Sequence, residues 1–327
     1  MKYNIFTVDV EGHVGTDPVN NLIYADLGNK GKWGIDKIMD ICKAYGVKGL
    51  FFVDIAEAWD YGEEKIAGVL KHIQARGHDV GVHIHPDHMA DRKRLFLWEY
   101  TYEEQYEIIK KCTEFYVCTL GKKPIAFRAG KYGANYDTLD ILSKLGYLAD
   151  FSEFYGQKWC GINPPLTCTK LVRYKSLLEV PTTAYMSFNQ FGYSRFDKLD
   201  TNMDLGEFRK IVPQLVRSDE VDVIVSFAHS FSLIDWRTRK DSPKANLKLA
   251  LQLERMFQCL EEKQSVKNVS LEQLLNETKE RELIPSLKYV EMKGLKSFLY
   301  FGKRAIHVLK MKLSSKVVKG EIKDEHS

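Results

Sequence analysis

The chain has 327 residues, of which 44% are hydrophobic and 28% charged. These proportions match soluble globular proteins and exclude collagen-like, low-complexity and wholly disordered chains. The net charge of +4 is unevenly held: residues 288–327 carry +6 and the other 287 carry −2, so the body lacks the basic surplus of a nucleic-acid binder.

In chain order, Tyr3–Val10 reads as a buried strand ending in carboxylates. Gly34–Tyr45 has helical periodicity and is stopped by Gly46. A second strand, Leu50–Val53, precedes a helix over Glu64–Arg76, stopped by Gly77, and a third strand, Val80–Ile84. Thr101–Thr119 reads as a long helix, Ile125–Phe127 as a strand, Tyr136–Leu145 as a helix closed by Gly146, and Tyr147–Phe151 as a strand. Leu177–Val180, Val221–Phe227 and Val269 add later strands, with a helix over Asn246–Glu262 between the last two. Such alternation predicts βα units, a mainly parallel sheet and an α/β fold of distorted or incomplete (β/α) barrel type. The expected domains are a barrel over residues 1–280 and a basic, helical C-terminal extension over 281–327 with a frayed end. No run of 18 apolar residues occurs, and the segment before Asp9 is too short for a secretory core, so the expected compartment is the cytosol. Six dispersed cysteines without a CxxC pair read as reduced thiols.

Polar residues stand repeatedly just after strands, where barrels of this class place their chemistry. Asp9-Val10-Glu11 puts two carboxylates on one side of a strand end; alone, the pair reads as a turn or a cap. His83-Ile84-His85 has the same spacing in imidazoles, able to ligate one metal, with a surface turn as the plain alternative. Arg128 lies beside Gly130 in a group that would otherwise be an ordinary surface ion pair. His229 ends a markedly apolar strand, where a satisfied core histidine is the usual reading.

Taken in order, these groups resemble the NodB-homology polysaccharide deacetylases, carbohydrate esterase family 4. Thr7-Val8-Asp9-Val10-Glu11-Gly12 is similar to their first motif, and Gly77-His78-Asp79-Val80-Gly81-Val82-His83 to their histidine motif. Gly49–Val53 resembles their second strand, Phe127-Arg128-Ala129-Gly130-Lys131-Tyr132-Gly133 their arginine motif, and Tyr147–Ser152 the fourth motif. Phe227-Ala228-His229 resembles the last motif, and Val269–Leu274 the closing strand and helix. The likeness spans roughly residues 2–278 and is nearest to variants of lipopolysaccharide or capsule biosynthesis. Two departures stand out: Glu11 occupies a position usually held by aspartate, and Asp87 stands four residues after His83, where the family usually has histidine. The second imidazole is therefore His85 or His88, with His85 favoured.

The resemblance implies hydrolysis of an N-acetyl group on an amino sugar, with a divalent metal, usually zinc. Glu11, His83 and His85 would hold the metal, Asp9 would be the general base oriented by Arg128, and His229 the general acid. Asp150 is the implied partner of His229, with Asp235 the nearby alternative, and a backbone N–H near Lys131-Tyr132 would assist the oxyanion. Of the aromatics Trp33, Trp59, Trp98, Tyr132, Tyr155, Trp159 and Trp236, only Tyr132 and Trp236 are taken as substrate contacts, because they follow motifs. Residues 288–313 mix apolar and basic side chains, which suits either peripheral contact with the inner face of an anionic membrane or a helix packed on the barrel. The expected substrate is an N-acetylated amino sugar, lipid- or nucleotide-linked, with no nucleic acid involved. The competing functions are hydrolysis of a cyclic ureide or imide on the same fold, and a non-catalytic glycan-binding module.

Overall fold

The computed structural model describes residues 2–12, 15–89, 91–237, 241–292 and 297–306. In its first half, β1 (Lys2–Val10), α1 (Ile35–Ala44), β2 (Leu50–Asp54), α2 (Ala58–Tyr61), α3 (Glu63–Ala75) and β3 (Asp79–Ile84) follow one another. Next come α4 (Tyr102–Leu120), β4 (Ala126–Ala129), α5 (Tyr136–Leu145), β5 (Ala149–Asp150), β6 (Val172–Tyr174) and β7 (Leu177–Glu179). A hairpin of β8 (Ala184–Gln190) and β9 (Tyr193–Asp200) leads to α6 (Leu205–Arg217), β10 (Val223–His229), β11 (Ile234–Asp235) and β12 (Lys244–Ala245). The last elements are α7 (Leu247–Glu261), β13 (Val266–Asn268), α8 (Leu271–Thr278) and β14 (Val290–Glu291).

Among these strands β9, β10, β1, β2, β3, β4, β5 and β7 pair in parallel, in that order. The ladder ends at β6 on one side and at β8 and β14 on the other, without closing. The result is an α/β, incompletely closed barrel, as the alternation of strands and helices predicts. Among the named strands, antiparallel pairing is confined to β6 with β7, β8 with β9, and the small β11–β12 pair.

Strand alternation sorts the core into two layers. Phe6, Val8, Val10, Phe51, Val53, Val82 and Ile84 face outward into one cluster with α1, α3, α4 and α5. Ile5, Leu50, Phe52, Ala126, Phe151, Leu178, Val223 and Val225 face the other way into a second cluster, the barrel interior. Odd positions of β1 and even positions of β4 thus point inward, and Thr7, Asp9 and Arg128 continue those inward rows. Helix ends match their sequence signals: Thr101 and Glu104 form a capping box on α4, and Gly121 and Gly146 close α4 and α5 at φ of +67° and +86°. All six cysteines are unpaired.

Parts of the described chain after residue 280 return to the body. Val290 and Glu291 pair with Tyr185 and Met186, and residues 297–306 are helical, with Ser297 and Tyr300 buried. The part of the predicted extension beyond residue 306 lies outside the described residues.

Candidate metal centre and active site

Parallel register gathers the motif residues at one end of the barrel. Asp9 lies opposite His229 on β10, Asp54 opposite His83, and His83 opposite Arg128. Because all these strands run the same way, residues that follow each strand converge at its C-terminal end.

Glu11, His83 and His85 each offer a ligand atom within 4.8 Å of the others, and all three are buried. Glu11 Oε2 is 2.9 Å from His85 Nε2 and 3.8 Å from His83 Nε2. The His83 Nδ1–H donates to the Arg128 carbonyl at 2.8 Å, which leaves Nε2 as the nitrogen facing the cluster. Anchoring one ring nitrogen to fix the other is how ligating histidines are usually oriented. A carboxylate and two imidazoles with open positions between them suit a divalent ion such as zinc. His88, the alternative ligand, is turned elsewhere: its Nδ1 donates to Asp60 Oδ2.

Asp9 sits beside this triad, its Oδ2 3.9 Å from His83 Nε2. Arg128 reaches Asp9 Oδ1 at 2.6 Å, Thr7 Oγ1 at 3.0 Å and the Phe151 carbonyl at 3.3 Å. Its guanidinium, fully buried, is sheathed by the rings of Phe52, Phe227 and Phe151. A buried cation with each edge engaged is a rigid holder for one carboxylate. Burial pushes the Asp9 carboxyl up, but Arg128, His83 and His229 outweigh it and hold it below its ordinary value. Glu11 follows the same balance: burial raises it, while His83 and His85 bring it well below the usual carboxylate range. Both acids are therefore ionised at neutral pH.

His229 completes the group, with Nε2 3.5 Å from Glu11 Oε1. Its ring stacks on Phe231, which meets Trp236 edge-on. Burial depresses the imidazole, and Glu11 opposes that shift without cancelling it.

The expected pairing of His229 with Asp150 does not form. Asp150 instead accepts from the Ser152 hydroxyl, which in turn accepts from the Ala129 N–H. It belongs to a buried acid cluster with Glu153 and Glu179. Position explains this: Asp150 lies on β5 opposite Phe127, beyond Arg128, whereas β10 brings His229 to Asp9. Asp235 is exposed and receives the Asn246 amide, so it takes no part either.

Tyr132 and Trp236 reach the site differently. Trp236 meets Phe231 edge-on, and Phe231 in turn stacks on His229. Tyr132 is buried, and its hydroxyl accepts from Lys198 Nζ at 2.8 Å. Both Lys131 and Tyr132 have left-handed backbones, at φ of +53° and +61°. Non-glycine residues persist there only when their surroundings impose it, and such strain clusters at functional sites. Lys198 is a residue that the sequence did not point to. Its ammonium lies 3.5 Å from the centre of the Phe227 ring and 3.8 Å from Asp200. Burial works against that charge, and Tyr132 and Asp200 restore it. It arrives on β9, which follows no recognisable motif.

With the geometry in view, comparison with known proteins adds the following. Residues 26–149 match the family model described as polysaccharide deacetylase. That segment, rather less than half of the chain, is similar to the family. The match includes His83, His85 and Arg128, while Asp9, Glu11 and His229 flank it. No curated protein is significantly similar in sequence. A crystal structure of a protein described as a polysaccharide deacetylase, from Mycobacterium smegmatis, is 18% identical, covers 90% of this chain and 94% of its own, and has a TM-score of 0.58. That likeness is one of fold, and it extends over most of the chain. A family 4 carbohydrate esterase from Streptomyces lividans, in complex with acetate, is 12% identical over 81% of this chain and 90% of its own, at a TM-score of 0.42. A family 4 pseudoenzyme from Bacillus anthracis is 12% identical over 89% of this chain and 70% of its own, at 0.45.

Proposed function

We propose that the chain is a metal-dependent hydrolase removing an N-acetyl group from an amino sugar during cell-surface polysaccharide biosynthesis. The observation that carries this reading is the Glu11–His83–His85 triad flanked by an arginine-held Asp9 on one side and His229 on the other. A glycan-binding module would have no use for a base, an acid and an oriented cation converging on one point.

Glu11, His83 and His85 would hold the ion, which when bound supplies a water of lowered pKa and polarises the acyl oxygen. Asp9, ionised and fixed by Arg128, takes the proton of the attacking water. His229, across Glu11, gives a proton to the amine nitrogen as the C–N bond breaks; neutral amines leave far better than amide anions. Lys198 and Tyr132 line the approach and would contact the sugar. Zinc is the ion that this donor set favours.

A lipid-linked or nucleotide-linked sugar at the inner face of the membrane is the proposed substrate form. The +6 charge of residues 288–327 supports this, with the exposed apolar side chains Phe298, Leu299 and Ile306. No described helix is long and apolar enough to cross a bilayer.

The test is metal content together with acetate release from N-acetylated amino-sugar conjugates. His83→Ala and His85→Ala should each lower metal content by one ion per chain and abolish release. His229→Ala should keep the metal and lose about 10²–10⁴ in rate, the scale of one acid–base group. Full metal content in both His83→Ala and His85→Ala would refute the assignment, as would wild-type protein that takes up no ion.

A further inference from the structure

A second set of ligating side chains lies beside the first and shares no residue with it. Asp54 ends β2, Glu57 closes the single turn Ile55–Glu57, and His88 closes the turn Pro86–His88. One ligand atom from each lies within 4.8 Å of the others. Asp54 and Glu57 are buried and the His88 side chain is only 12% exposed.

Two independent details make this more than a gathering of acids. Asp54 Oδ1 accepts the backbone N–H groups of Ala56 and His85 at 3.1 and 3.2 Å, while Oδ2, also buried, has no hydrogen-bond partner among the described residues. A buried carboxylate oxygen without a partner is costly unless a cation or a proton serves it. The His88 ring donates Nδ1–H to Asp60 Oδ2 at 2.5 Å, which leaves Nε2 as its ligating nitrogen. That carboxylate–histidine arm is the outer support that ligating histidines usually carry. Asp60 is itself steadied by Arg92.

We propose that Asp54, Glu57 and His88 form a second divalent-cation site, distinct from Glu11–His83–His85 and independent of the catalytic reading. Two carboxylates and one imidazole suit an ion of the zinc or manganese class. The site is structural. Glu57 Oε1 accepts the Gly12 N–H at 2.6 Å and Asp54 accepts the His85 N–H, so an ion here would tie the loops after β1, β2 and β3 together. It would hold the backbone on either side of the first triad while touching none of its ligand atoms.

The experiment is a Zn²⁺ titration of metal-stripped full-length protein, with bound ion counted per chain after desalting. Wild type should retain two ions. His88→Ala and Asp54→Asn should each retain one, His83→Ala should also retain one, and the His83→Ala/His88→Ala double variant none. Asp60→Asn should weaken one of the two ions about 10–100-fold and leave the other unchanged. Wild-type stoichiometry needs no variant to fold, and a single ion lost with His83→Ala would overturn the proposal, leaving Asp54 and Glu57 as a carboxyl pair sharing a proton. Loss of the same ion in His83→Ala and His88→Ala would overturn it too, by placing His88 in the first site. Two ions retained in both Asp54→Asn and His88→Ala would put the second elsewhere and have the same effect. No ion in wild type would overturn both this site and the proposed catalytic one, whereas one ion lost only with His83→Ala would spare the latter.

Discussion

Arg128 shows how much a single side chain decides. It is the largest of the fully buried side chains, and its charge is matched by Asp9. Removing one partner of a buried pair strands the other, at a cost of about 3–5 kcal/mol. Arg128→Met should therefore lower stability by about that much in denaturant unfolding, and acetate release should fall with it. Gly130 is equally constrained: a Cβ there would meet the His85 ring and the Ile84 carbonyl, each at 2.7 Å. Gly130→Ala should displace His85 and weaken metal binding about tenfold or more, measurable by competition with a chelator, the scale seen when a ligand's support is lost. At this scale the sequence is most legible where a motif carries the residue. Asp9, Glu11, His83, His85, Arg128 and His229 all converge. Asp150 does not join His229, because partner choice depends on which strands are neighbours, and nothing local in the sequence states that β5 and β10 lie on opposite sides of β1 and β4.

Among elements, the βα units were readable because hydrophobic periodicity and glycine stops agreed, and α5 falls on Tyr136–Leu145 as expected. The segment 184–217 was not read, for three physical reasons. The β8–β9 hairpin has a register shift between Met186 and Phe188 that breaks its alternation, and its outer half is exposed. Helix α6 contains Pro213, which signals a break in sequence. Its Glu207 is buried, which reads as a surface position until the C-terminal segment is seen to cover it. Arg304, from residues 297–306, pairs with Glu207 and with Asp197. Glu207 also accepts from the Tyr185 hydroxyl, so the contact joins three elements far apart in sequence. Arg304→Ala should cost about 3 kcal/mol, since Glu207 would be left buried without its cation. A deletion from residue 288 onward should unfold at lower temperature than that point variant, because it also uncovers the surface on which Met292 and Tyr300 pack.

Over the whole molecule, two features act beyond the site. Burial pushes Asp150, Glu153 and Glu179 up, Glu153 to about 8. Acids raised in the folded state contribute stability that is full below their unfolded values near 4 and lost as pH rises through the folded ones. Asp9 and Glu11 are shifted the other way and act only below about pH 4, outside this window. Glu153→Gln should therefore gain stability relative to wild type as pH rises from 5 to 8, by up to about 1.4 kcal/mol per pH unit. The difference between the two proteins, read from thermal unfolding, cancels the histidines common to both.

The second feature is a group of exposed apolar side chains. Phe191 is 92% exposed at the tip of the β8–β9 hairpin, its ring 6.2 Å from that of Phe298, with Tyr193 and Leu299 also exposed. Phe191 and Gly192 both have positive φ, +56° and +73°, as a two-residue hairpin turn requires. Asparagine suits the first of these positions and phenylalanine does not, so the turn spends stability to present an aromatic ring to solvent. Under the proposed membrane contact, an anionic bilayer would engage that ring. Phe191→Asn separates the two roles because they move in opposite directions. It should raise unfolding stability by up to about 1 kcal/mol through the turn. It should also weaken sedimentation with anionic phospholipid vesicles, and added salt should weaken the wild-type interaction further. Equal sedimentation of both proteins, or none with any vesicle, would leave the aromatic tip without a membrane role.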